Sequence, residues 1–280
     1  MKKLLMWVLV AVLCCAGAYC AKRYYSESYL PNKELKDADE SQRELFQRVR
    51  PDIEHLPLAI GKQLPEDDPA GKTDSKAEDT EGTEPEEKKK PVSFDELRAE
   101  NPDTIGWITI EGTKIDYPIV QAADNQRYLQ IGFDQRYNYG LGCPFLDYRC
   151  NGFKGFNSIV YAHHIWGNEA MFGDIAKYKS SSFIIQHPTG KLLTEGGVHN
   201  VRFFAYMTLE ENAFAYKLVP DGADKEKRDE YIDNIFRSAS YYYELTADEL
   251  KESEDLHLLL LSTCTYEYKE ARGVLMGVIE

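Results

Sequence analysis

A single cysteine near the C-terminus of the chain has the setting of a catalytic nucleophile. The apolar run 256–261 leads into Ser262, Thr263 and Cys264, and Arg272 follows a few residues later. Nucleophilic cysteine chemistry requires a thiolate, a group that transfers protons and a positive group that faces the developing oxyanion. The cysteine and the arginine supply the first and the last of these. Taken alone, the cysteine also fits a small buried side chain on a core strand.

Of the six histidines in the chain, only His163 and His164 directly follow a strand-like run. An imidazole titrates near neutral pH, so either ring is able to act as a general acid or base. A zinc site made of both rings and a cysteine is disfavoured, because adjacent side chains on an extended chain point to opposite faces. We therefore expect neither a metal site nor a cofactor. An ordinary histidine at a strand end is the competing interpretation.

The segment that contains the cysteine resembles a known family. From Leu261 to Arg272 the chain reads Leu-Ser-Thr-Cys-Thr-Tyr-Glu-Tyr-Lys-Glu-Ala-Arg, which is similar to the signature of the sortases, specifically those of class B. The resemblance extends from about Ser93 to the C-terminus. Two further parts of the chain agree with the histidine segment and the opening strands of that family: 159–164 with 171–174, and 105–108 with 115–118.

The resemblance implies a cysteine transpeptidase whose catalytic residues are His163, Cys264 and Arg272. It also implies a groove for a peptide, and the positions that match groove residues of the family are Asn125, Leu129, Tyr161, Ser262 and Thr263. Two positions depart from the family pattern. Leu260 stands where a threonine is common, and Ala162 stands where a glycine usually precedes the histidine. Neither departure removes a catalytic group, so both concern substrate fit more than activity.

For the substrate, the resemblance implies a surface protein with a C-terminal sorting signal of the Asn-Pro-x-Thr-Asn type. The signal would be cut after threonine and joined to an amine of the cell-wall peptidoglycan precursor. A pilin-polymerising enzyme, a peptidase that hydrolyses the acyl enzyme and an inert membrane-tethered binding module are the alternatives. A nucleic-acid partner is disfavoured, because the formal net charge is −14 and no concentrated positive surface is evident.

The N-terminal residues predict export or anchoring. Residues 4–21 are almost wholly apolar and follow Lys2 and Lys3. Their length lies at the lower limit for crossing a bilayer of about 30 Å. The sequence Ala-Gly-Ala at 16–18 resembles a signal-peptidase site, so a cleaved signal peptide competes with an uncleaved anchor. We predict a signal or membrane anchor at 1–21 and a protein that crosses the cell membrane once, with its catalytic domain outside the cell.

Three further segments follow the predicted anchor. Residues 22–60 form a predicted juxtamembrane segment, in which 35–49 has helical composition but only a weak apolar stripe. Residues 61–92 are acidic, contain hardly any apolar side chain and predict a disordered linker, because little burial would offset the loss of chain entropy. Residues 93–280 form the predicted catalytic domain. Ser93 marks its start, since it precedes Glu96 at the spacing of a capping box.

Within the predicted catalytic domain, short runs of β-forming residues dominate. They are 107–110, 115–117, 158–161, 201–207, 257–262 and 273–279. The clearest helix is 224–240, where apolar residues recur at helical spacing. The residues alone predict a mostly β protein with peripheral helices. The resemblance implies the eight-stranded β-barrel of the sortases, preceded by an N-terminal membrane segment.

Cys143 and Cys150 form a local pair that is separate from Cys264. Outside the membrane such a pair is able to form a disulfide. The run 144–147 between them has an extended pattern, which would hold the two thiols apart unless the chain folds back. Both outcomes are open from the sequence.

Overall fold

The computed structural model describes residues 19, 22–23, 30–56, 58–59, 93–138, 140–165, 170–210, 212–264 and 271–280. Apart from Tyr19, the predicted anchor at 1–21 lies outside this part of the chain, and so does the predicted linker at 61–92. Among the described residues, no helix combines the length and the apolar character needed to span a bilayer.

The described residues contain eleven strands. They are β1 (Thr104–Thr109), β2 (Asp116–Val120), β3 (Phe145–Leu146), β4 (Asn157–Tyr161), β5 (His164–Ile165), β6 (Ala170–Met171), β7 (Thr189–Thr194), β8 (Gly197–Glu210), β9 (Tyr241–Tyr242), β10 (His257–Cys264) and β11 (Ala271–Ile279). Eight of them are hydrogen-bonded in the order β11-β10-β4-β3-β2-β1-β7-β8, and β8 also pairs with β11. This last pairing closes the sheet into a barrel without free edges. The predicted eight-stranded barrel is confirmed.

Strand β10 is buried on both of its faces, which explains the unbroken apolar run in the sequence. Leu259 and Leu261 belong to one core cluster, and Leu258 and Leu260 belong to a second. A strand covered on both sides has no need of polar alternation. Leu260, one of the two departures from the family pattern, is therefore a fully buried core residue that packs in the cluster containing Ile235.

Helices lie outside the barrel. They are α1 (Leu30–Val49), α2 (Phe94–Glu100), α3 (Ser181–Gln186), α4 (Lys225–Ser238) and α5 (Ala247–Glu252), with 3₁₀ turns at Arg127–Leu129, Gly173–Lys179 and Phe214–Tyr216. The predicted capping box is present at the start of α2, where Ser93 and Glu96 bond to each other's backbone. The helix predicted at 224–240 is α4, which begins at an Asp224 cap.

The apolar stripe of α1 packs on the barrel. Phe46 is 5% exposed, and its ring lies 5.6 Å from that of Tyr117 and 6.2 Å from that of Trp107. Val49 and Ile53 are buried in the same core cluster. The sequence predicts a helix here but no role for it. The structure gives it one, since the end of α1 covers part of the barrel core.

Candidate active site

The strand register brings the predicted catalytic positions to one end of the barrel. Strand β10 lies between β4 and β11; it runs parallel to β4, with Ser262 opposite Tyr161, and antiparallel to β11, with Cys264 opposite Arg272. His163 follows Tyr161 by two residues, as Cys264 follows Ser262. The backbone therefore places Cys264, at the end of β10, between His163 on one side and Arg272 on the other.

A cleft of about 370 Å³ lies at this end of the barrel. Apart from Cys264, which is placed by the register of β10, every site residue predicted from the sequence lines it: Asn125, Leu129, Tyr161, His163, Ser262, Thr263 and Arg272. The cleft also contains four residues that were not among those predictions: Gln126, Phe145, Ala162 and Tyr216. Ala162, the second departure from the family pattern, is thus in the cleft, whereas Leu260 is not among its lining residues.

The His163 ring is held by a backbone carbonyl. Its Nε2 lies 2.8 Å from the carbonyl oxygen of Leu129. A carbonyl oxygen only accepts, so Nε2 carries the hydrogen of this bond, and Nδ1 is the ring nitrogen that does not take part in it. The backbone of His163 is fixed as well, since its carbonyl accepts from the N–H of Phe172 at 2.9 Å.

The 3₁₀ turn 127–129 presents the Leu129 carbonyl. The Asp124 carboxylate accepts from the backbone N–H groups of Gln126 and Arg127 at 2.8 and 2.9 Å, and these bonds lower the pKa of Asp124. The side chain of Tyr128 is buried beneath the turn, and its hydroxyl donates to Asp103 at 2.7 Å. The turn is therefore fixed both at its start and from below.

Gly142 lies against this turn and against the histidine. Its φ is +66°, and a Cβ there would lie 2.4 Å from the Tyr128 carbonyl oxygen and 3.2 Å from Cδ2 of His163. The Asn138 side chain bonds both the N–H and the C=O of Gly142 at 2.9 Å. Only glycine adopts this conformation readily and also leaves room for the ring.

Two tyrosines form the wall of the cleft beside β10. The rings of Tyr161 and Tyr216 stack with centroids 6.1 Å apart, and Phe145 lies 5.5 Å from Tyr161 on the cleft side of β3. The Tyr216 hydroxyl and Ser262 Oγ are 2.9 Å apart in a buried hydrogen bond. Tyr216 belongs to the 3₁₀ turn 214–216, which has no periodic signal in the sequence.

The described lining residues include Arg272 as a permanent positive charge and no carboxylate. The guanidinium of Arg272 is half-buried, and Nη1 donates to the carbonyl of Ala271 at 3.3 Å. Thr263 is 2% exposed, and its Oγ1 has no hydrogen-bond partner among the described residues. The cleft therefore offers neutral donors and acceptors together with one cation, a set suited to a peptide and to an oxyanion.

Cys143 and Cys150 are free thiols in the structure. Burial raises the pKa of Cys150 to about 11 and that of Cys143 well above the ordinary thiol value. Neither thiol lines the cleft. They are therefore poor nucleophiles at neutral pH.

No protein-family model matches the chain. Sortase B of Listeria monocytogenes is 30% identical over 185 residues, which cover 65% of this chain and 72% of that protein. Sortase B of Staphylococcus aureus is 28% identical over 189 residues, which cover 63% of this chain and 69% of that protein.

Solved structures share the fold. The crystal structure of Clostridium perfringens sortase B matches with a TM-score of 0.60 and 26% identity, over 67% of this chain and 100% of that one. A class B sortase of Streptococcus pyogenes involved in pilus biogenesis matches with a TM-score of 0.58 and 29% identity, over 68% and 98% of the two chains. With this barrel and the identity to Listeria sortase B, the chain belongs to the class B sortases, a family of cysteine transpeptidases.

Proposed function

We propose that this sortase cleaves a C-terminal sorting signal of the Asn-Pro-x-Thr-Asn type after threonine and joins the surface protein to an amine of the peptidoglycan precursor. The observation that carries the proposal is the register that places Cys264 between His163 and Arg272, at the edge of a cleft large enough for a short peptide. The catalytic roles below are part of the same proposal.

In the first step, the thiolate of Cys264 attacks the carbonyl carbon of the threonine in the sorting signal. A carbon–sulfur bond forms, and the carbonyl electron pair moves to the oxygen. Arg272 stabilises that oxyanion, because its guanidinium keeps its charge at every accessible pH and is able to hold charge without moving protons.

In the second step, the carbon–nitrogen bond of the signal breaks. The imidazolium of His163 gives its Nδ1 proton to the leaving amine, while the Nε2–H bond to Leu129 keeps the ring in place. The product is a thioester between Cys264 and the threonine, and His163 is left neutral with Nδ1 free to accept a proton.

In the third step, the amine of the second substrate attacks the thioester and transfers a proton to Nδ1 of His163. The carbon–sulfur bond breaks, so that the thiolate and the imidazolium are both regenerated and an amide has formed. Water competes with the amine in this step, and cleavage without transfer is its product.

The lining of the cleft supports a neutral, amide-rich signal. Asn125 uses one N–H and one lone pair of its side chain within the protein, so a second N–H and a second lone pair are left for a ligand. Because the described lining has no carboxylate, nothing in it favours a basic peptide over a neutral one.

Pilus assembly is the second candidate function, and it differs only in the amine that attacks the thioester. The specific observation in its favour is the similarity to the Streptococcus pyogenes class B sortase involved in pilus biogenesis. In that case a lysine of a pilin subunit replaces the peptidoglycan amine.

We also propose that the protein is held at the cell membrane by a single span with its catalytic domain outside. The apolar residues 4–21 support this proposal, as does the need of a sorting enzyme to meet exported substrates. Protease added to intact cells would digest residues 93–280 if the proposal holds, and only lysis would expose them if it fails.

The test of function uses the full-length protein with an Asn-Pro-Gln-Thr-Asn peptide, with and without an added amine, followed by mass spectrometry. We expect a thioacyl adduct on Cys264 and an amide product that depends on the amine, and neither with Cys264→Ala. Triglycine and an acetylated lysine peptide, compared as amines, separate wall anchoring from pilus assembly. Cleavage by the Cys264→Ala variant would refute the mechanism, and the absence of an adduct with a panel of sorting peptides would favour an inert binding module.

A further inference from the structure

The carboxylate of Asp147 lies behind the cleft, directly after β3. Its side chain is 0% exposed, and Asp147 is not among the residues that line the cleft. Its two oxygens accept five hydrogen bonds. Oδ2 accepts from Asn125 Nδ2 at 3.0 Å, from the Tyr161 hydroxyl at 3.1 Å and from Arg149 Nη2 at 2.7 Å. Oδ1 accepts from Nε of Arg149 at 2.8 Å and from its backbone N–H at 3.0 Å.

The partners of this carboxylate are cleft residues or hold cleft residues. Asn125 and Tyr161 line the cleft themselves. Arg149 extends the connection, because its Nη2 also donates to the carbonyl oxygen of Tyr216 at 3.1 Å. Tyr216 in turn stacks on Tyr161 and bonds Ser262. One buried group therefore fixes Asn125 and the stacked pair of Tyr161 and Tyr216, which come from distant parts of the chain.

The chemistry of the five bonds requires an ionised carboxylate. Burial raises the pKa of Asp147, but the hydrogen bonds from Arg149 and Asn125 outweigh burial, and the net effect is a lowered pKa. An amide of the same shape has a single acceptor oxygen, and its NH₂ group would face donors. Asparagine at this position would therefore leave buried donors unpaired.

None of these bonds reaches His163 or Arg272. The histidine is held by the Leu129 carbonyl and the Phe172 N–H, and the guanidinium of Arg272 donates to Ala271. Asp147 therefore makes direct contacts with groove residues and none with the side chains of the reacting groups.

We propose that Asp147 is a positioning residue that sets the shape of the peptide groove, acting through Asn125, Tyr161 and Tyr216. The inference rests on the proposed function, since it assigns the groove to the sorting peptide. Loss of the carboxylate weakens recognition of the peptide and leaves the reacting groups in place.

A second buried aspartate provides a matched control. Asp174 is 1% exposed, accepts from the backbone N–H of Lys114 at 2.7 Å and pairs with Lys177 at 2.9 Å, yet it does not line the cleft. The ion-pair partners match as well, because Arg149 and Lys177 are both 42% exposed. Changes at Asp174 or Lys177 reproduce the loss of a buried ion pair without touching the groove.

The experiment measures steady-state transpeptidation by the full-length protein with the Asn-Pro-Gln-Thr-Asn peptide and triglycine. We expect Asp147→Asn and Arg149→Ala to raise KM by about tenfold, the equivalent of about 1.4 kcal/mol of lost binding, with kcat changed by less than about threefold. Asp174→Asn and Lys177→Ala should leave KM unchanged. Tyr161→Phe added to Asp147→Asn should raise KM no further, because the two changes interrupt the same bond.

A second readout separates a loosened groove from a collapsed site. Alkylation of Cys264 by iodoacetamide, followed by peptide mass mapping, should proceed in Arg149→Ala at the wild-type rate within about twofold, since the reacting groups keep their supports. The inference would be overturned if the Asp147 and Arg149 variants changed KM no more than the Asp174 and Lys177 variants. It would also be overturned if alkylation of Cys264 slowed as much as turnover. If Asp147→Asn does not fold, the Arg149→Ala and Lys177→Ala comparison decides. If the wild-type protein turns over no sorting peptide, the proposed function fails instead.

Discussion

His163 Nε2 donates to the carbonyl oxygen of Leu129 at 2.8 Å, and this bond leaves Nδ1 as the ring nitrogen for the proposed proton transfers. The carbonyl belongs to a short 3₁₀ turn that Gly142 touches from the other side. The orientation of the proposed acid and base therefore depends on the packing of a loop that is remote from it in sequence.

Gly142→Ala should reduce turnover by at least about tenfold, because the new Cβ would lie 2.4 Å from the Tyr128 carbonyl and displace the Leu129 carbonyl that holds His163. The positive φ of +66° adds strain of about 1 kcal/mol. Steady-state kinetics with a sorting peptide and thermal unfolding measure the two effects.

Gly140→Ala is the matched control for that substitution. Gly140 has a φ of +83°, and a Cβ there meets nothing within 4 Å. It should lose a similar amount of stability through backbone strain alone and keep its kcat. Equal turnover in the two variants would contradict the role assigned to the turn.

Iodoacetamide at pH 8 should modify Cys264 while Cys143 and Cys150 stay intact. Burial raises the pKa of Cys150 to about 11 and that of Cys143 well above its ordinary value, so very little thiolate is present at either position. Peptide mass mapping of the folded, full-length protein is the measurement, and the urea-unfolded protein, in which all three thiols react, is its control. Modification of Cys150 ahead of Cys264 would contradict the proposed nucleophile.

Six of the eight barrel strands could be predicted from local sequence, because β1, β2, β4, β8, β10 and β11 each contain a run of β-forming residues. No such run predicts β3, which has only two residues, or β7. The barrel itself could not be derived that way. Closure depends on the pairing of β8 with β11, which is a long-range contact. Only the family resemblance predicts it. The packing of α1 is hard to predict for a related reason, because its buried apolar residues, Phe46 and Val49, lie only in the last turn.

The cleft residues that belong to a sequence motif could be predicted from the sequence, and the others could not. Thr263 and Arg272 belong to a contiguous signature, and both line the cleft. Tyr216 lies in a 3₁₀ turn whose sequence has no periodic pattern. Asp147 follows a short apolar run, and an exposed carboxylate at the end of a strand would have the same sequence context. Its burial depends on contacts with Asn125 and Tyr161, which lie far from it in sequence, and no spacing in the sequence indicates those contacts.

Ser262→Ala should destabilise the fold by about 1 kcal/mol, because it removes the buried hydrogen bond between Ser262 Oγ and the Tyr216 hydroxyl. Tyr216→Phe removes the other half of the same bond, so the double variant should lose less stability than the sum of the single losses. Urea unfolding of the four proteins measures the coupling. Strictly additive losses would show that the 2.9 Å contact contributes nothing to stability.

Phe46→Ala should destabilise the folded domain by about 3–5 kcal/mol, the usual loss when a buried phenylalanine is truncated. The ring packs edge-on against Trp107, Tyr117 and Phe133, so its removal leaves a cavity between α1 and the barrel. Gln47→Ala, one residue on and exposed, is the control and should change little. A melting temperature of Phe46→Ala equal to that of the control would mean that α1 is dispensable for the core.

The destabilisation caused by Asp147→Asn should depend on pH in a direction fixed by the lowered pKa of Asp147. Arg149 and Asn125 hold that pKa below its ordinary value of 3.8. The ionised carboxylate therefore contributes stability that is fully present above about pH 4 and is lost as the pH falls through the lowered pKa of the folded state. We expect a deficit of about 2 kcal/mol at pH 7, the usual loss when buried hydrogen-bond donors are left unpaired, and this deficit should shrink as the solution becomes more acidic. Urea unfolding of both proteins at pH 7, 5 and 3 measures it. Arg149→Ala should follow the same trend, since it removes the main cause of the lowered pKa of Asp147. A stability deficit of Asp147→Asn that stays constant down to pH 3 would mean that the charge of Asp147 does not stabilise the groove.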